Sequence, residues 1–242
     1  MTLASNQIHQ GDCLDLMMEI EDQSVDLILT DLPYSKTACS WDVAIPLEPF
    51  WIQCKRVVKP NGAVVLTAVQ PFASLLIASN PKWFKYEWIW KKTRPTGFFT
   101  VKKQPMRIHE NVLVFYQSQP TYNPQKVKAD EKRIDRRKTL NPTFSPYLGV
   151  KKERVPDDGM RFPTTVQEFA SVSRKGQHSA EKPVALFEFL IRTYTNEGDL
   201  VLDCCAGSGT TGVAALNLNR RFILIEKFDC EQAERRLKDA TP

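Results

Sequence analysis

Asp31, Leu32, Pro33 and Tyr34 put a carboxylate, a directed backbone carbonyl and an aromatic ring into four consecutive positions. They follow Val25-Asp26-Leu27-Ile28-Leu29-Thr30, a short, β-branched and leucine-rich run of the kind that forms a buried strand. The tetrapeptide is therefore expected at the C-terminal end of a strand, the edge at which open α/β sheets bind ligands. Its chemistry suits a planar amine. The Asp31 carboxylate and the Leu32 carbonyl can accept the two amine hydrogens. Pro33 fixes its own φ and restricts Leu32, so that carbonyl is aimed. Tyr34 can stack on the ring that carries the amine. The same residue types also suit an ordinary strand-end turn, and the rest of the chain decides between the two.

A second constellation lies near the C-terminus. Leu200-Val201-Leu202-Asp203 reads as a strand, Cys204 to Thr211 as a glycine-rich turn, and Gly212 to Leu218 as a helix. Phe222-Ile223-Leu224-Ile225-Glu226 is a strand ending in a carboxylate. Gly207 and Gly209 let backbone approach a ligand closely. An acid at the end of the following strand, here Glu226, can hold ribose hydroxyls in a bidentate way. Asp203, Thr210 and Thr211 fit a ligand with an amino-acid end better than a pyrophosphate, and the absence of Gly-Lys-Ser/Thr excludes a P-loop.

The remaining elements position these two turns. Gln7 to Gln10 is expected as a strand, turning at Gly11-Asp12 into a helix over Leu14 to Ile20; Asp12 can cap that helix or touch a ligand. Helices are expected over 46–58, 71–79, 182–191 and 229–238, and strands over 63–69, 84–91 and 110–116. Alternation puts Tyr86, Trp88 and Trp90 on one face, which reads as core. The loop from Ser35 to Asp42, with Cys39 and Trp41, is expected to close over substrate. Residues 117–163, with many prolines and little periodicity, read as an insertion ordered by a partner.

At 242 residues the chain is long enough for one α/β domain with an insertion. Its net charge of +5 is unevenly spread: Lys91 to Arg154 holds 16 Lys and Arg against 5 Asp and Glu, and the remainder 17 against 23. A basic middle in an acidic frame points to a polyanion partner. No apolar run approaches the roughly 18 residues of a membrane span, and Met1 to Gln10 has no signal-peptide pattern. None of the six cysteines has metal-site spacing, so a reduced, cytoplasmic protein with no metal is expected.

Taken together, Gly11-Asp12-Cys13-Leu14, Ser24 to Ile28, Asp31-Leu32-Pro33-Tyr34, His109-Glu110-Asn111, His178 to Pro183 and Asp203 to Thr211 resemble the amino-group DNA methyltransferases of the β arrangement, a family found in restriction–modification systems. In that arrangement the catalytic motif precedes the target-recognition region, and the cofactor motif comes last. The resemblance implies a Rossmann-like, S-adenosylmethionine-dependent methyltransferase fold with circularly permuted motif order. It implies a catalytic half over 1–90, a basic target-recognition region over 91–165 with a strand at 110–116 returning to the sheet, and a cofactor-binding half over 166–242. Asp31, Leu32, Pro33 and Tyr34 would be catalytic. Asp12 would contact the adenine side of the cofactor. Asp203, Gly207 and Gly209, with Thr210 and Thr211, would line its methionine end, with Lys182 on the carboxylate and Glu226 on the ribose; Cys13, Asp31, Cys205 and Ser208 would also bind the cofactor. Lys91, Lys92, Arg94, Lys102, Lys103 and Arg107 would meet double-stranded DNA, and a homodimer is an expected assembly. Leu32 stands where the family usually has proline, and Ser179-Ala180-Glu181 replaces Pro-Thr-Gln. Asp at position 31 favours adenine as the target; N4-cytosine, RNA or protein-glutamine methylation and an inactive DNA-binding module are the alternatives.

Overall fold

The computed structural model describes residues 3–34, 42–130, 143–145, 149–152, 157–172 and 181–240, with 143–145 and 150–152 described by their backbone alone. The expected substrate loop apart from Asp42, the basic run 132–138 and His178 to Ala180 of the family motif lie outside the described residues.

The order of elements is β1 (Gln7–Gln10), α1 (Cys13–Met17), β2 (Val25–Thr30), α2 (Leu47–Val57), β3 (Val58–Ala68), α3 (Phe72–Ser79), β4 (Phe84–Thr96), a 3₁₀ turn (Phe98–Thr100) and β5 (Arg107–Phe115). Short strands β6 (Val127–Lys128), β7 (Thr143–Ser145), β8 (Val150–Lys152) and β9 (Met160–Arg161) follow. The chain ends with β10 (Val166–Phe169), α4 (Val184–Tyr194), β11 (Leu200–Asp203), α5 (Thr210–Asn217), β12 (Arg221–Glu226) and α6 (Glu231–Ala240).

Two compact units divide these elements: Met1–Asn123 with Thr165–Pro242, and Pro124–Thr164. Residues 91–123 belong to the larger unit because β4 runs on to Thr96 and pairs with β5, so the hairpin stays in the main sheet. Pro95 is tolerated in β4 because the register slips between Lys91 and Thr96. In the smaller unit β6 pairs antiparallel with β9 and β7 with β8, and Arg161 bonds Asp157 at 2.7 Å.

The main sheet has eight strands in the order β1-β12-β11-β2-β3-β5-β4-β10. The strands from β1 to β3 are parallel; β5 is antiparallel to both β3 and β4, and β10 is parallel to β4. β10 was not expected from the sequence. It extends the catalytic side of the sheet, although it falls in the stretch read as cofactor half.

Helices cover both faces, which is why β2, β3 and β11 read as continuous apolar runs. Along β2, Ile28 faces a core with Met17, Phe50, Trp51, Cys54 and Leu76 from α1, α2 and α3. Leu27 and Leu29 face the other core, with Leu186, Leu190 and Tyr194 of α4 and Ala214 and Ala215 of α5. Trp88 and Trp90 are buried in this second core, as their alternation predicts. Each such side chain contributes about 1.5–3 kcal/mol by leaving water. The helix expected over Leu14 to Ile20 stops at Met17, because Met18, Glu19 and Ile20 donate to residues three back and tighten the last turn.

The central seam joins distant sequence. Leu202 of β11 lies opposite Ile28 of β2, and the Asp26 carboxylate accepts from Lys59 Nζ at 2.7 Å and from the Leu200 amide at 2.9 Å. Because β2, β11 and β12 are parallel, their C-terminal ends fall on one sheet edge.

Candidate active site

That edge opens into a cavity of about 1390 Å³. Asp31, Leu32, Pro33 and Tyr34 line it from the end of β2; Asp203, Cys205, Gly207, Ser208 and Thr210 line it from the turn after β11. Glu226 at the end of β12 and Asp12 and Cys13 after β1 complete that side. The two constellations, about 170 residues apart in sequence, thus share one cavity.

The glycine turn is held from inside. Asp203, fully enclosed, accepts from the Cys205 amide at 3.0 Å and from the Thr211 hydroxyl. Burial pushes its carboxyl up to about 6, against hydrogen bonds from Thr211, Thr30 and the Cys205 amide that pull the other way. Gly209 has φ +76°, and a Cβ there would lie 2.9 Å from the Ala233 Cβ, so only glycine lets α6 pack on the turn. Gly207 has φ +49°, and a Cβ there would meet nothing within 4 Å: this glycine faces open space. Gly209 and Thr211 do not line the cavity; they build the turn that does.

Glu226 accepts from the Gly207 amide at 2.8 Å with one oxygen and from the Phe228 amide at 3.0 Å with the other. Asp12 caps α1 by accepting from the Leu14 amide at 3.0 Å, and it also lines the cavity. Its hydrogen bond with Lys227, 3.0 Å away, holds its carboxyl below the usual range despite partial burial.

The turn after β2 is fixed equally firmly. Asp31 accepts from the Tyr34 hydroxyl and the Thr67 hydroxyl with one oxygen, and its other oxygen is paired with Lys182. Leu32 points its side chain into the core, so that position faces the cavity by backbone. The Tyr34 ring leans on Phe72, with centroids 5.3 Å apart, and burial raises its hydroxyl well above the usual range, keeping it a donor. Lys182, expected at the cofactor carboxylate, sits between Asp31 and Glu110, 3.6 Å from the latter. Burial alone would lower the Lys182 ammonium; Asp31 and Glu110 outweigh it and raise it. Burial would raise Glu110; Lys182 and Lys92 outweigh it and lower it.

Four contributors carried no assigned role in the sequence. Thr67 supports Asp31 from the neighbouring strand. Glu110 links Lys92 to Lys182. Arg236 of α6 donates to the Ser208 carbonyl at 2.8 Å and hydroxyl at 2.7 Å and to Thr210 at 3.1 Å, and its other nitrogen pairs with Glu181 at 2.8 Å. Glu181 Oε2 is buried without a hydrogen-bond partner on the cavity wall. Glu110 and Glu181 left a sequence signal, each lying in a stretch that resembles the family; Thr67 and Arg236 left none. An open glycine turn, a ribose-type carboxylate and an orphaned carboxylate oxygen fit a nucleoside bearing a charged amino-acid end.

Of the basic residues, Arg94 and Arg107 line the mouth of the cavity. Lys92 is buried against Glu110, and half-exposed Lys91 pairs with Glu168 at 2.6 Å. Lys102 and Lys103 are exposed beyond the cavity wall. Among the described residues no group of three or more His, Cys, Asp or Glu is placed to hold a metal, and no helix is long and apolar enough to cross a membrane.

Comparison with known proteins agrees with this geometry. The Type II methyltransferase M1.MboII of Moraxella bovis is 29% identical over 91% of this chain and 91% of its own length. M.BglII of Bacillus subtilis is 30% identical over 90% of this chain and 64% of its own. The crystal structure of the M1.HpyAVI–SAM complex superposes with a TM-score of 0.64 at 26% identity, covering 95% of this chain and 98% of that one. The cytosine-N4-specific PvuII DNA methyltransferase shares the fold, with a TM-score of 0.63 at 18% identity over 99% of this chain and 92% of that one. A family model described as DNA methylase, covering N6 and N4 enzymes, matches residues 25–235. The chain belongs to that family, the S-adenosylmethionine-dependent amino-group DNA methyltransferases of restriction–modification type.

Proposed function

We propose that this enzyme methylates the exocyclic N6 amine of adenine in duplex DNA after the base leaves the helix. The observation that carries the reading is the single cavity shared by Asp31 and Gly207. A paired base cannot reach such a cavity, so the target must swing out of the stack. The cofactor supplies a methyl group already activated on a sulfonium, which leaves positioning as the protein's main task.

The residues divide that task between them. Gly207, Ser208 and Thr210 hold the methionine end, Glu226 the ribose, and Asp12 with Cys13 the adenine side. Asp31 accepts one hydrogen of the target amine and the Leu32 carbonyl the other. Both bonds favour a pyramidal nitrogen whose lone pair leaves the ring. Lys182 yields the Asp31 oxygen to the amine and stays near Glu110, the second carboxylate beside it. Tyr34 offers its ring to the base while its hydroxyl steadies Asp31. Arg94, Lys102, Lys103 and Arg107 hold phosphates. Aspartate rather than serine at position 31 supports adenine over cytosine.

Incubation with methyl-labelled S-adenosylmethionine and unmethylated DNA, followed by nucleoside analysis, tests the reading. N6-methyladenine is expected. N4-methylcytosine would redirect the base assignment, and label confined to RNA or protein would overturn the DNA reading.

A further inference from the structure

The tip of the β4–β5 hairpin carries Phe98 and Phe99 fully in the open. They are 73% and 102% exposed, the most exposed large apolar side chains among the described residues. Isolated surface apolar residues are ordinary, but two adjacent uncovered phenylalanines mark a contact surface.

Three features give this pair an occupant. First, β4 is parallel to β2 by way of β3 and β5, so the hairpin tip projects from the same sheet edge as Asp31, and both rings line the mouth of the same cavity. Second, the tip is built to hold them out. Gly97 takes φ +94°, its carbonyl accepts from the Thr100 amide and hydroxyl at 3.0 Å each, and Thr100 accepts from the Lys103 amide at 2.8 Å and the Gln104 amide at 3.0 Å. The rings stand on an ordered turn, edge to face, with centroids 6.4 Å apart. Third, the tip is strictly basic. No acid occurs between Lys91 and His109, and Arg94, Lys102, Lys103 and Arg107 form no ion pair among the described residues. Apolar rings within a ring of unpaired cations match stacked bases between phosphates.

We infer that Phe98 and Phe99 form a wedge that enters the duplex beside the target and stacks in the gap the extruded base leaves. This rests on the proposed methylation of a flipped base and adds what holds the helix open. Apolar side chains that part base steps act in this way in other DNA-bending proteins. Neither ring touches the reacting atoms; the pair acts on the flipping equilibrium alone.

The test uses the full-length enzyme with a duplex whose methylation site has been mapped with the wild type. Phe98→Ala, Phe99→Ala and the double variant are saturated with duplex carrying 2-aminopurine at the target, and kcat is measured on the unmodified duplex. The double variant should lower the flipped fraction and kcat by roughly tenfold to a hundredfold, the worth of one stacked base. Cofactor affinity should not change. A mismatch opposite the target, which makes flipping easier, should restore both fluorescence and kcat. Wild-type flipping and turnover in the double variant, or a loss that the mismatch leaves in place, would overturn the wedge. A wild type that transfers no methyl to any DNA would overturn the underlying reading as well.

Discussion

Lys182 and Asp31 are 151 positions apart in the chain and joined by a nearly buried ion pair at the sheet edge. The pair fastens the segment before α4 to the catalytic turn. It also covers the carboxylate oxygen proposed to accept from the target amine. Substituting Asp31→Ala should therefore lower kcat by about 10²–10³-fold, the usual effect of losing one aimed polar group at a reacting centre. Cofactor binding by calorimetry should stay within a few-fold of wild type. Normal turnover would remove Asp31 from the chemistry.

Glu110→Gln should destabilise the fold by about 3 kcal/mol, because it leaves the buried Lys92 ammonium without its carboxylate and Lys182 with Asp31 alone. The urea midpoint reports this directly, and an unchanged midpoint would mean that solvent already screens the network.

The two glycines of the cofactor turn should separate under substitution. Gly209→Ala forces an alanine into a left-handed backbone and against Ala233, and should cost about 2–4 kcal/mol of stability. Gly207→Ala meets no neighbour, costs only the backbone term of about 1–2 kcal/mol, and should mainly weaken cofactor binding. Thermal melts with calorimetry on both variants distinguish these outcomes; equal effects on both quantities would contradict the assigned division.

Asp203 supplies a pH dependence of defined sign. Its carboxyl sits at about 6 when folded, against an ordinary value of 3.8. Between those pH values the folded chain holds the extra proton, so this group's contribution is fully present below about 4 and is lost as pH rises through about 6. Unfolding of wild type and Asp203→Asn should thus diverge across that window and run parallel above it. Parallel curves throughout would place the folded carboxyl at its ordinary value.

Replacing Lys102, Lys103 and Arg107 with neutral residues should weaken binding to duplex DNA and reduce the salt slope of log K by about 2–3 if all three meet phosphates. A slope equal to the wild type would move the DNA face elsewhere.

Most strands and the two turns that share the cavity were legible in the sequence, because a sheet buried on both faces writes itself as apolar runs and each turn is built from adjacent residues. β2 and β11 were bounded correctly for that reason. The extension of β4 past Lys91 and the strand β10 were not. Their outward residues are basic or polar, and only pairing with β5 and β4 makes them strands. The Asp31–Lys182–Glu110 chain and the Arg236 clamp were equally hidden, since each links elements whose adjacency is a property of strand order. Phe98 and Phe99 pass in sequence for ordinary loop residues; their exposure is a fact of the hairpin alone.

The pairing of β1 with β12 also has a consequence in time. β1 leaves the ribosome well before its partner β12 has been made, and β2 likewise waits for β11 on one side. A growing chain can assemble β2, β3, β5 and β4 early, but their flank stays unsealed until β11 and β12 have been made. Premature termination before Arg221 should yield aggregating fragments rather than a smaller working enzyme.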